Sequence, residues 1–289
     1  MRWQVRAGTK TLKTRINQFL YISIIFCFQS ICTTPRYRDV LSLKDYCMVR
    51  RNQPYIWTSE TKKGGLLYYG ALHTIDPYDP QIKEIEKLWD KFSPTVAFCE
   101  GSVWPLKKDK EDAIIKYGEQ GLLRFLSALD NVSFGCLDPS LVQQTRFLVG
   151  HFPASQIKTY YVLREAVTRK RIHNNDRGAE YGEKLLRRFR NFKHLLGHPQ
   201  CLHEFNKYIK NDFPELKEWQ NTPCSYFYYE EKGKYLTHIH EVLFEYRNQM
   251  MLRKLIKALK KGERIFAVVG RGHVVAQEKT LMSLFSDFN

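Results

Sequence analysis

"LLYYGALHTIDP", residues 66–77, is the stretch on which the fold is read. An apolar run of about five residues, rich in aromatics, ends on a glycine, and this is the signature of a buried strand rather than a helix. His73 follows Gly70 by three positions. "IFAVVGRGHVVA", residues 265–276, repeats the arrangement near the other end, with Gly270 and His273. Random placement of 16 Gly and 9 His would give roughly 0.5 such Gly-x-x-His matches, so spacing alone decides little. Context decides more. Both histidines fall just past the C-terminal end of an apolar strand, the edge where ligands and catalytic groups gather in open α/β sheets.

Outward from that stretch, "DPQIKEIEKLWDKF" (79–92) puts Ile82, Ile85, Leu88 and Trp89 at helical spacing behind an Asp-Pro start. "PTVAFCEG" (94–101) is a second apolar run, closed by Glu100. Strand, helix and strand within about thirty residues have the length of a βαβ unit. "EDAIIKYGEQGLLRFLSAL" reads as one or two helices, and "NVSFGCLDP" as a third short strand ending at Asp138. From about 141 to 261 the periodicity is helical almost throughout, and the final strand and helix follow. The expected fold is α/β, a central and mostly parallel sheet with a long helical insertion, in a single domain over 33–289.

Apolar residues make up 43% of the 289 and aromatics 14%, enough for a full-sized core. The net charge of +16 is spread along the chain without a nucleic-acid-reading motif, so no nucleic-acid partner is expected. Residues 1–32 run from a basic stretch through "FLYISIIFCF" to a small-polar exit. That is the order of a signal peptide or N-terminal anchor, and it leaves open a membrane association through the N-terminus. The expected location is secreted or in the cell envelope, periplasmic or lipid-anchored. Seven cysteines show no C-x-x-C spacing, which excludes a zinc ribbon and a dithiol redox motif. P-loop, Rossmann and G-x-S-x-G signatures are lacking.

Two imidazoles, His73 and His273, and the carboxylate of Glu100 make a donor set suited to a divalent ion, Zn, Mn or Co. The same groups could serve as a metal-free acid–base pair. Arg247 in "FEYRNQMM" shares a helical face with Phe244 and Met251, a setting that calls for a buried carboxylate or anion. His240, seven residues before Arg247, could line the same cleft, and Asp138 could join the site from its strand end.

"GALH", "AFCEG", "YRNQMM" and "VVGRGHV" together resemble the Tiki/TraB/PrgY/GumN family, related more widely to erythromycin esterases and ChaN-type proteins. The resemblance covers about 66–105 and 235–285. It implies His73 and His273 as the paired motif histidines, Glu100 as the acid and Arg247 as the helical arginine. It implies a metal-dependent hydrolase of the envelope or secreted, acting on a peptide. The alternatives are an ester hydrolase with His73 as a metal-free general base, or a haem- or iron-binding envelope protein.

Overall fold

The computed structural model describes residues 37–288 apart from 63, 174–176 and 229–232. The signal-like segment 1–32 lies outside the described residues. Strand β2 (Gly65–Ala71) is buried along its whole length. It lies between β1 (Tyr55–Glu60), which pairs with it antiparallel, and β5 (Arg264–Gly270), which pairs parallel with Leu66 opposite Ile265 and Gly70 opposite Val269. Strands β3 (Val96–Cys99) and β4 (Ser133–Cys136) continue the parallel part, giving the order β1-β2-β5-β3-β4. The result is a mixed α/β fold on a five-stranded sheet.

Two features depart from the expectation. β1 reads as polar lead-in because its exposed positions carry Thr58 and Glu60, with Ser59 between them, the half-exposed pattern of an edge strand. β2 and β3 are not neighbours either. The last strand of the chain enters between them, where β5 buries Ile265 to Val269 completely. A run apolar at every position belongs in the sheet centre, covered on both faces.

One face of the sheet carries Leu67, Tyr69, Phe266 and Val268 against helices α2 (Pro80–Phe92) and α3 (Lys110–Leu129). Asp79 caps α2 by accepting from the Gln81 N–H, with Pro80 in the first turn. Trp89 meets Phe266 edge-on at 5.4 Å, and its indole donates to Asp130 at 2.7 Å. The opposite face meets α8 (Tyr235–Leu259) and α9 (Arg271–Phe288). There the Tyr68 hydroxyl donates to Gln277 on α9.

No strand falls between β4 and β5 among the described residues. Helices α4 (Leu141–Leu148), α5 (Ala154–His173), α6 (Gly178–Phe189) and α7 (Leu202–Asp212) fill that interval before α8. They enclose a core of their own around Tyr160, Phe189, Phe205, Phe213 and Trp219, closed by Leu236, Ile239 and Leu243 from the first half of α8. The second half of α8 buries Met251, Leu252 and Leu255 beside the sheet. A short helix α1 (Leu43–Met48) lies across α8 and α9, with Leu43 packed on Phe244 and Ala276.

The membrane association expected through the N-terminus is corrected. Among the described residues no helix is long and apolar enough to cross a bilayer. The longest, α8, interrupts its apolar positions with Glu241, Glu245, Arg247, Arg253 and Lys254.

Candidate functional site

β2, β3 and β5 end together, and their C-terminal edge opens into a cavity of about 530 Å³. The two Gly-x-x-His motifs interlock there. A Cβ on Gly70 would stand 2.9 Å from Arg271 Cα and 3.1 Å from Val274 Cγ2, so the first glycine makes room for the helix that carries the second histidine. A Cβ on Gly270 would stand 3.1 Å from both His73 Nε2 and Glu100 Oε2, so the second makes room for the first histidine. Neither glycine can be replaced without displacing the other motif.

His73 sits in the loop after β2. Gln81 holds that loop by accepting from the Leu72 N–H and donating to the Leu72 carbonyl. Behind the ring, His73 Nδ1 donates to Glu119 Oε1 at 2.6 Å, while the second Glu119 oxygen accepts from the Thr74 N–H. Nε2 is thereby turned towards the cavity. Glu119 is only 2% exposed and reaches the loop because α3 kinks at Gly118, where φ is 65°. Burial opposes a charge on His73. The hydrogen bond and charge of Glu119, with Glu100 beyond, outweigh it and push the pKa up to about 9.

Glu100 follows β3 directly. One oxygen accepts from Arg247 Nη2 at 2.5 Å, the other from the Gly270 N–H at 2.5 Å. Arg247 spends its remaining reach on Asp138, through Nε at 2.9 Å and Nη2 at 2.7 Å. Lys254 donates to the Asp138 carbonyl and so fixes the strand end that carries this carboxylate. Burial alone would raise the Glu100 pKa, but His273 and Arg247 hold it well below the usual carboxylate range. Asp138 and Glu100 likewise raise the Arg247 pKa against its burial.

His273 lies in the first turn of α9. Its Nδ1 donates to Asn248 Oδ1 at 2.9 Å, an oxygen that also accepts from Gln277. Phe244 stacks on the ring at 5.4 Å. Nε2 therefore faces Glu100, with Oε1 at 3.6 Å. His240 lines the same cavity and is hydrogen-bonded to the Tyr160 hydroxyl through Nδ1. Burial first, then the charges of Arg164 and Arg247, hold its pKa well below the usual value, so it is neutral.

The structure thus brings His73, Glu100, Arg247 and His273 to one cavity, with Asp138 behind Arg247 and His240 on the wall. Sequence reasoning missed Glu119 and Asn248, the two groups that aim the imidazoles. A signal for Glu119 existed in "YGEQGLL", an acid between two glycines inside an apolar helix. Asn248, beside Arg247 in a long helix, gave none.

Of three buried carboxylates, Glu100 and Asp138 pair with the one buried guanidinium, Arg247, and Glu119 pairs with His73. A floor of that balance takes up a cation, and a proton on His73 meets the need. In kind the donors also suit a divalent ion: two Nε2 atoms with fixed tautomers and a carboxylate, around a gap that Gly270 keeps open. Among the described residues no group of three or more His, Cys, Asp or Glu side chains is gathered closely enough to hold a metal ion. Both Glu100 oxygens are engaged with Arg247 and Gly270, which leaves the imidazoles as the uncommitted donors.

Compared with known proteins, the chain is similar to the TraB/PrgY/gumN family over residues 200–285. That segment carries His240, Arg247, Asn248 and His273, but neither His73 nor Glu100. No curated protein and no solved structure matches the chain.

Proposed function

We propose that this chain is a metal-dependent hydrolase of peptide bonds, working in the cavity at the C-terminal edge of β2, β3 and β5. The observation that carries the reading is the presentation of two imidazole Nε2 atoms beside one ionised carboxylate, each ring fixed from behind through Nδ1. Such outer partners are the usual companions of metal-binding histidines. A divalent ion (Zn, Mn or Co), held by His73 and His273 with Glu100 beside them, would supply a water of pKa near 7 and polarise the scissile carbonyl.

The chain's own groups have distinct tasks. Glu119 and Asn248 hold the rings. Glu100 is kept ionised by Arg247, so it is a poor proton acceptor, and each of its oxygens keeps one lone pair with which to orient a water. Arg247 has Nε and Nη2 engaged with the two carboxylates, which makes it a positioning residue for Glu100. The signal-like start of the sequence and the family similarity both support a secreted or envelope location.

Metal content by plasma mass spectrometry tests this, on protein purified without chelators or a histidine tag. About one equivalent of Zn, Mn or Co is expected, lost in His73→Ala and in His273→Ala, with peptide hydrolysis restored by that ion. Protein that stays metal-free after soaking would sink the proposal. The short His73–Glu119 hydrogen bond orients the ring for a second reading, a metal-free ester hydrolase in which His73 is the general base once it loses its proton near pH 9. Ester hydrolysis that survives exhaustive chelation and disappears in His73→Ala would favour it.

A further inference from the structure

Beside the main cavity a smaller one, of about 90 Å³, opens between Arg164, Arg171, Tyr228 and His240. All four residues also line the main cavity, so the two spaces adjoin across these side chains. Its volume is that of about three waters, the size of a carboxylate group. Arg164 and Arg171 stand seven residues apart on α5, two helical turns on one face, about 10 Å along the axis. Among the described residues neither makes an ion pair with a carboxylate. Their neighbour Arg169 points another way, pairs with Glu165 at 2.7 Å and covers the Tyr181 ring at 4.2 Å. The helix therefore neutralises an arginine on another of its faces and, among the described residues, leaves Arg164 and Arg171 lining the cavity without a carboxylate partner.

We propose that this side pocket is a specificity subsite for a carboxylate on the substrate, gripped by Arg164 and Arg171, so that the cleft acts beside an acidic side chain or a free C-terminus. The cleavage half rests on the hydrolase reading, while the binding half does not. Two planar forks facing a small pocket suit a planar monoanion, which a guanidinium binds bidentately. A dianionic phosphate would meet the ionised Glu100, which lines the adjoining main cavity. Like charges placed together in a partly buried pocket are tolerated when an anion is the intended occupant.

Calorimetric binding on the full chain tests this without any turnover. The probes are N-acetyl-Ala-Glu-Ala-amide against its Gln analogue, and N-acetyl-Ala-Ala-Ala free acid against its amide. At least one acid is expected to bind about tenfold or more tightly than its neutral partner, with the preference weakening as salt rises. The pair that shows it identifies the source of the carboxylate. Arg171→Gln, at an exposed position, should abolish the preference with the fold intact. Arg171→Lys should restore part of it, because the charge remains and the fork is lost. Arg164→Gln, checked by near-UV circular dichroism, should act in the same direction. Equal binding of acid and neutral probes, a preference untouched in Arg171→Gln, or no binding of any probe to folded protein would each overturn the subsite. Metal content is read separately in the same preparations, so a failed subsite and a failed hydrolase reading remain distinguishable.

Discussion

Glu119 governs His73 from behind, at 2.6 Å, without lining the cavity. Replacing it with Gln keeps a hydrogen-bond acceptor and removes the charge. Metal affinity, read by competition with a chromophoric chelator, should fall roughly 10–100-fold in Glu119→Gln. Unchanged affinity would remove Glu119 from the site. Arg247 presents the opposite case, one cation between two buried acids. Arg247→Met would leave Glu100 and Asp138 facing each other without compensation and should cost about 3–5 kcal/mol in urea unfolding. Adding Glu100→Gln should recover part of that loss. A change below about 1 kcal/mol would mean that the three groups are not coupled. At this scale His73, Glu100, Arg247 and His273 were legible, because polar residues ending or interrupting apolar runs need a reason. The pairing of Glu119 with His73 was not, because the two lie 46 residues apart in sequence, although the acid itself stands out between two glycines of an apolar helix.

Helix α3 shows how an element delivers a side chain. An unbroken helix would carry Glu119 past the His73 loop, but Gly118 takes a left-handed conformation and bends the chain towards it. A Cβ there would stand 2.5 Å from the Thr74 carbonyl oxygen, so the bend and the close approach both require glycine. Gly118→Ala should therefore destabilise the protein by about 1–3 kcal/mol and weaken metal binding along with it, through the displaced Glu119. A variant with wild-type stability and affinity would show that the kink is not needed. The sequence signalled a break in this helix without its direction. β1 shows the converse, a real strand concealed by its exposed positions. The insertion of β5 between β2 and β3 could not be read locally either, since periodicity reports which faces are buried and not which strands are neighbours.

Across the whole molecule, the site joins two layers that each have a core. The sheet delivers His73, Glu100, Asp138 and the turn before His273. The helical layer delivers Arg164, Arg171 and His240, and α8 runs through both, burying Leu236, Ile239 and Leu243 in one and Met251, Leu252 and Leu255 in the other. A cavity walled by both layers keeps its shape only if they remain docked. α8 ties them mechanically, because neither half of a 25-residue helix can unfold without exposing the other's apolar face. Phe205→Ala, in the core of the helical layer far from the sheet in sequence, should cost about 3–5 kcal/mol. Hydrogen-exchange mass spectrometry across a urea series should then show the amides of α7 and of β5 losing protection in one transition, at a lower midpoint than wild type. Earlier loss in α7, with β5 still protected and metal still bound, would show that the helices fold as a separate unit. The carboxylate subsite would then belong to a cover resting on the sheet rather than to the same cooperative structure.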